Sequence, residues 1–239
     1  GIVFTGLITA LFSADLSWDQ QWQDLAIMGA VFLIPAWFWM PYPPKFEAGT
    51  SNTIEEPDSR FMNLLIATYF CAGVGYVISA TFIIDILQNT PQLAGKGGWV
   101  WVIVGLFAAP SALIWDKVAN RIGQIQALQL AYIIQIISFI LPLTTDHSLA
   151  SFIAAACWGG TFAGIVSLTL AIVGRAFPYN PAKAMAKLTI SFGVAQIVAP
   201  IFAGYVADLS GSYLGALIGA LVVMVAGMLF LHKIGYTLK

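Results

Sequence analysis

Uncharged polar and aromatic side chains recur at helical spacing inside three apolar segments of this 239-residue chain. Tyr69, Gly73 and Tyr76 stand at i, i+4 and i+7, which places them on one face of a helix. The residues of the other two faces are Trp158, Thr161 and Ile165, and Thr189, Gly193 and Gln196. Such faces could line a cavity for a moderately polar organic solute. The alternative is that they pack helix against helix, with hydroxyl groups bonded to carbonyls one turn back.

From these faces we select the residues that would contact a solute. The substrate-cavity candidates are Tyr69, Gly73, Tyr76, Trp158, Thr161 and Gln196. A seventh residue, Asp85, is the acid inside a long apolar segment, and it lies within a turn of the segment's outer end. Because charge at the bilayer centre costs about 2.5–3.5 kcal/mol or more, such an acid is a candidate gate or ion-coupling site. The alternative is an interfacial acid that reaches water.

Motifs for enzyme chemistry are missing from the sequence. There is no G-x-S-x-G, no H-E-x-x-H and no glycine-rich phosphate loop. Cys71 and Cys157 both fall inside apolar segments and are interpreted as packing residues. His147 and His232 lie at segment ends, without metal-ligand spacing. We therefore expect no enzyme activity from this portion, no cofactor and no metal site.

Apolar helices are predicted to carry these residues. Hydrophobic residues make up 59% of the chain and charged residues 9%, and the mean hydropathy is +0.86. Soluble domains carry roughly a quarter charged residues, so a soluble protein is excluded, and no basic patch suggests nucleic acid. Most of the apolar segments approach the roughly 20 residues that a spanning helix needs. They cover residues 1–12, 26–40, 61–86, 99–115, 125–143, 149–173, 188–207 and 213–231.

The basic residues are concentrated on one side of the predicted membrane helices. Of the 10 Lys and Arg residues, all except Lys96 fall in alternate gaps between the apolar segments. This is the positive-inside asymmetry of a polytopic helical membrane protein, and it predicts that the basic gaps and the C-terminus are cytoplasmic. Lys96 and Asp146 are expected on the outer side. The corresponding location is a bacterial inner membrane.

The chain ends and the one long gap indicate how the helices are grouped. Residues 1–12 are too short to span a bilayer and begin without Met, so we expect the outer end of a longer helix that starts before residue 1. Residues 41–60 are rich in Pro and acids and have no apolar face, which is typical of a linker. Two helices precede this linker and six follow it.

One basic gap carries a more specific motif. It reads Asp116-Lys-Val-Ala-Asn-Arg-Ile-Gly123. This turn resembles the signature of the major facilitator superfamily, a Gly followed by Asp-Arg-x-Gly-Arg between the second and third helices of each half. Arg121 and Gly123 match its core, whereas Asn120 replaces the usual Asp and Gln124 the second basic residue. The resemblance makes Arg121 a candidate for the cytoplasmic gate.

The resemblance extends over essentially the whole chain. Residues 73–76, 158–164 and 200–213 resemble the C-terminal half of poorly characterised bacterial permeases in that superfamily. It implies that residues 1–40 are the end of the N-terminal half, residues 41–60 the cytoplasmic linker and residues 61–239 a C-terminal six-helix half. It also implies a transporter that works by alternating access, with its site at the midplane between two halves.

The expected function is therefore secondary transport of a small organic solute, driven by a gradient of protons or sodium ions. The expected partners are this solute, the lipid bilayer and the missing N-terminal half of the same protein. The second hypothesis is a membrane interaction or sensor protein that does not transport, and the third is a membrane enzyme. An upstream sequence with four more helices would favour the transporter.

Overall fold

The computed structural model describes residues 2–12, 17–40, 57–88, 97–145 and 147–237. Each described helix overlaps one predicted apolar segment, and no β-strand occurs in these ranges. The linker residues 41–56, Lys96 and Asp146 lie outside the described residues. In chain order the helices are α1 (Ile2–Phe12), α2 (Trp18–Trp39), α3 (Ser59–Gln88), α4 (Gly97–Ile122), α5 (Gln124–Thr144), α6 (Ser148–Ala176), α7 (Pro181–Ser210) and α8 (Leu214–Thr237).

Several helices extend beyond the apolar segments that predicted them. α2 begins at Trp18 because Ser17 and Gln20 form a capping box: the Ser17 amide donates to Gln20 Oε1 at 2.9 Å, and the Gln20 amide donates to Ser17 Oγ at 3.4 Å. α7 begins at Pro181, which suits the first position of a helix because it has no amide hydrogen to satisfy. Polar residues extend these helices into the membrane interface, so the apolar segments of the sequence do not include the helix ends.

Seven of the helices in the described part of the chain are long and apolar enough to cross a membrane. α1 has 11 residues and is not among them. In lipid a helix satisfies its own backbone hydrogen bonds, which is why helices are the elements that such a composition produces. The described protein is thus an all-α, polytopic helical membrane protein, as the composition predicts.

The helices pack in a connected network. α4 packs against α1 and α6, α3 packs against α7 and α8, and α5 lies against α6 and α8. Hydrogen bonds between helices reinforce α3: Tyr132 on α5 donates to the Thr68 carbonyl at 2.7 Å, and Ser191 on α7 donates to the Ile66 carbonyl at 2.9 Å. The bonds give a buried Tyr132 hydroxyl and a half-buried Ser191 hydroxyl partners that lipid cannot supply.

Glycines allow α1, α4 and α6 to approach closely. A Cβ built on Gly6 of α1 would lie 2.8 Å from the Val102 amide nitrogen of α4. A Cβ on Gly159 of α6 would collide with the Val104 carbonyl oxygen, also on α4. Since the opposing atoms are backbone, a side chain at either position could be accommodated only by moving a whole helix.

We expect Gly159→Ala to lower the stability of the folded protein by about 1–3 kcal/mol, the usual cost of overpacking. Gly219→Ala on α8 is the matched control, because no atom lies within 4 Å of a Cβ built there. Thermal unfolding of the intact protein in detergent, followed by circular dichroism, compares the two variants. Equal melting temperatures would contradict the close packing of α4 and α6.

Candidate substrate site

Six aromatic rings from four helices form one connected group, which we call the aromatic cluster. Its members are Tyr69 and Tyr76 of α3, Trp101 of α4, Trp158 and Phe162 of α6, and Phe192 of α7. Ring centroids of Tyr76 lie 5.9 Å from Trp158, 5.4 Å from Phe162 and 5.8 Å from Phe192. These separations are typical of favourable aromatic pairs. Tyr76 therefore links α3 to both α6 and α7.

The rings of the aromatic cluster differ in exposure. Trp158 is 1% exposed and Tyr69 is buried, whereas Tyr76, Phe162 and Phe192 are half-buried. Trp158 stacks on Tyr76 and on Phe162, each with an interplanar angle of 27°. Trp101 is half-buried as well, so the cluster has two buried rings and four partly accessible ones. Three of the predicted cavity residues, Tyr69, Tyr76 and Trp158, come together in it.

Gly73 sets the distance between α3 and α7 beside this cluster. A Cβ built there would lie 2.8 Å from the Ala195 side chain and 3.0 Å from the Phe192 carbonyl oxygen. Tyr69 lies one turn before Gly73, and its ring lies 4.7 Å from that of Phe192. Close approach at Gly73 is therefore what allows aromatic rings from α3 and α7 to meet. Gly73 acts here through packing, and its part in a cavity stays a prediction.

Thr161 is held on the side of α6 that packs against α5. It is 1% exposed, and its hydroxyl lies 2.7 Å from the Cys157 carbonyl oxygen and 3.3 Å from Oε1 of Gln135. Gln135 is itself buried on α5. The bond one turn back is the packing alternative that the sequence left open for this residue. Contact between Thr161 and a solute remains a prediction.

The polar face of α7 is more open. Gln196 is half-buried one turn after Phe192, and Thr189 is exposed, with its hydroxyl bonded to the Met185 carbonyl at 3.0 Å. No atom lies within 4 Å of a Cβ built on Gly193, which stands between them. This face is therefore available to a solute or to a further helix.

A polar contact between α4 and α6 supports the cluster. Ser111 Oγ donates to the Gly160 carbonyl at 2.8 Å and accepts from the Gly164 amide at 3.1 Å. Trp115 Nε1 donates to the same carbonyl at 2.7 Å. Gly160 and Gly164 stand four residues apart, so Ser111 bonds both ends of one helical turn. That turn carries Phe162 and follows Trp158, and its orientation toward α3 is fixed by these bonds.

Charge is kept away from the aromatic cluster. Every charged side chain that the structure describes on the helices lies within about two turns of a helix end. Asp85 belongs to the last two turns of α3, and its side chain lies outside the described residues. Arg121 is exposed in the last turn of α4, where the helix dipole favours a cation. Neither gate candidate is therefore placed in the cluster by the described residues.

The turn after Arg121 has a backbone conformation that favours glycine. Gly123 joins α4 to α5 with φ of 92°, a value that favours glycine. Its amide donates to the Ala119 carbonyl at 2.9 Å, and the Asn120 side chain donates to Asp116 Oδ2 at 3.3 Å. Asn120, which departs from the superfamily signature, thus serves to bond its own helix.

Trp101, Phe162 and Phe192 were not predicted as site residues. Phe162 stands four residues after Trp158, and Phe192 stands four residues before Gln196, so each shares a helix face with a predicted residue. That spacing could have identified both. Nothing in the sequence marks Trp101, because it resembles the many aromatic residues near segment ends. Its ring meets that of Trp158 edge-on at 5.9 Å, a contact set by helix packing.

The structure is that of a polytopic helical membrane protein with a charge-free cluster of aromatic rings between its helices. A family model described as "Uncharacterised MFS-type transporter YbfB" matches residues 1–231. The chain therefore belongs to this family of the major facilitator superfamily and is a membrane transporter. No curated protein matches the sequence.

Proposed function

We propose that the protein is a secondary transporter that moves a small organic solute by alternating access. The observation that supports this proposal is the convergence of Tyr76, Trp158 and Phe192, from three spanning helices, within a membrane transporter. A site made by several helices can open to either side when those helices tilt. The location proposed for it is the bacterial inner membrane.

The proposed organisation follows the superfamily. Residues 1–40 belong to the end of one half, residues 41–60 form the cytoplasmic linker and residues 61–239 form the second half, which works together with an N-terminal half. The alternation of basic residues supports a cytoplasmic linker and C-terminus. The outer side then carries Lys96 and Asp146.

An ion gradient is the proposed energy source, with a proton or a sodium ion as the coupling ion. Asp85 is the candidate coupling acid within this chain, because it lies near the outer end of α3 in an otherwise apolar segment. Carboxylates near a membrane-embedded site can bind a proton or sodium as the transporter changes state.

Uptake and efflux of a solute panel by the intact protein in proteoliposomes test this function. We expect at least one small organic solute to move faster than through protein-free liposomes. An imposed proton or sodium gradient should drive it above its equilibrium distribution, since coupling converts ion binding into solute movement. Solute movement that is identical in liposomes with and without protein, for the whole panel, would contradict transport.

Arg121 is proposed to act as a cytoplasmic latch in one of the two states of the transporter. We expect Arg121→Ala to reduce the transport rate by about fivefold, because loss of roughly 1 kcal/mol shifts a two-state balance by that factor. Arg121→Lys should retain part of the rate, since it keeps the charge but not the planar guanidinium. Rates are measured in the proteoliposome assay at equal amounts of inserted protein.

Lys117→Ala is the control for this latch. Lys117 is exposed on α4 one turn before Arg121, so Lys117→Ala removes one positive charge from the same end of the helix. If the latch depends on Arg121 specifically, Lys117→Ala should transport at the wild-type rate. A wild-type rate in Arg121→Ala, with normal insertion, would leave Arg121 as a topology determinant alone.

A further inference from the structure

Two buried polar atoms in the described part of the chain lack a hydrogen-bond partner: Trp158 Nε1 and Thr169 Oγ1. Both belong to α6, and both side chains are 1% exposed. Their separation of eleven residues (169 − 158) is close to three helical turns, so they share one face of the helix. A buried donor without an acceptor is unfavourable, and such groups are rare in native proteins. This face of α6 therefore requires a partner that the described residues do not provide.

The surroundings of Trp158 indicate what kind of partner could satisfy it. Its indole is enclosed by the rings of Tyr76, Phe162 and Trp101, with centroid separations of 5.9, 5.2 and 5.9 Å. The rings of Tyr76 and Phe162 lie at 27° to the indole, so a molecule that enters this cluster meets mostly aromatic surface. A molecule that is itself flat and apolar over most of its surface, with one acceptor atom for the N–H, suits these surroundings.

We propose that Trp158 Nε1 donates a hydrogen bond to the transported solute, and that this solute is an uncharged molecule with a flat apolar body and a hydrogen-bond acceptor. The proposal rests on the transport function proposed above and assigns the substrate class of the same site. The ring faces of Tyr76 and Phe162 stack on the solute body, and the indole N–H selects its acceptor.

The absence of charge near the aromatic cluster decides between uncharged and ionic solutes. The described charged side chains lie near the helix ends, and the polar groups of the cluster are the indole N–H groups of Trp101 and Trp158 and the hydroxyls of Tyr69 and Tyr76. Moving an ion from water into an apolar site is unfavourable unless a counter-charge pairs with it. These rings supply no counter-charge for an anion. Ring faces attract a cation, but the unpartnered Trp158 N–H requires an acceptor, which a simple ammonium group does not offer, so the α3 and α6 part of the site favours a neutral molecule.

Exposure of Tyr76 and Phe162 explains how the solute reaches a buried donor. Tyr76 and Phe162 are half-buried and contact each other at 5.4 Å, while Trp158, whose ring contacts both of them, is 1% exposed. The N–H becomes accessible when these two rings separate. Binding of a flat solute replaces the contact between the rings with contacts to the solute, so the rings separate without leaving ring surface in water.

Benzamide is a suitable probe, because it combines a neutral ring with a carbonyl acceptor. Equilibrium binding of radiolabelled benzamide to the intact protein in nanodiscs should be saturable. Benzoate and benzylammonium, which add a negative or a positive charge to the same ring, should compete poorly. Toluene, which lacks the acceptor, should compete more weakly than unlabelled benzamide does.

Trp158→Phe tests the hydrogen bond, since it keeps a ring but removes the N–H. We expect it to weaken benzamide binding about three- to tenfold, the usual effect of one hydrogen bond. Trp39→Phe is the matched control, because Trp39 is an exposed indole on α2, and it should bind as the wild type does. Circular dichroism melting confirms that both variants fold.

Three outcomes would overturn the proposal: wild-type affinity in Trp158→Phe, stronger binding of benzoate or benzylammonium than of benzamide, or no saturable binding of benzamide. The transport function fails separately. If benzamide binds with the expected dependence on Trp158 but the protein moves no solute across proteoliposomes, the site stands and the transport proposal fails. If another solute is transported while benzamide does not bind, transport stands and the substrate class is wrong.

Discussion

The structure depends on one constraint: inside a bilayer, every polar group must find its partner within the protein. Helices meet this requirement for the backbone, and bonds such as those of Tyr132 to the Thr68 carbonyl and Ser111 to the Gly160 carbonyl meet it for side chains. Glycines bring the helices close enough for these short bonds to form. Against this background the unsatisfied Trp158 Nε1 and Thr169 Oγ1 stand out. Because both atoms lie on one face of α6, this face is where the protein leaves polar groups for a further partner.

The helices could be predicted from the sequence because apolar residues dominate long segments of it. Their ends could not be predicted equally well. The apolar segment 188–207 misses the first turns of α7, which begins at Pro181, and the segment 99–115 misses the last turns of α4, which ends at Ile122. In both places charged and polar residues extend the helix into the interface, where water and headgroups accept them. Hydropathy measures only the part of a helix that lies in hydrocarbon.

The site was predictable in part for a related reason. Helical spacing identifies which residues share a face, and Tyr69 and Tyr76 do meet rings from neighbouring helices. Spacing does not say which helix lies opposite that face. Thr161 was therefore grouped with Trp158, although its hydroxyl lies beside Gln135 on α5. Trp101 was missed because its role depends on the packing of α4 against α6, which rests on Gly159 and Val104. Contacts between helices are thus the information that a single sequence lacks.

In the proposed transporter, the face joining α3, α6 and α7 lines a pathway that opens to both sides of the membrane. Labelling of Tyr76→Cys by a membrane-impermeant maleimide tests it directly, in a background with Cys71→Ala and Cys157→Ala, using right-side-out and inside-out vesicles. Ile133→Cys, on the exposed face of α5, is the lipid-facing control. We expect labelling of Tyr76→Cys from each side and no labelling of the control. Labelling from neither side would show that the aromatic cluster is closed packing and that this face lines no pathway.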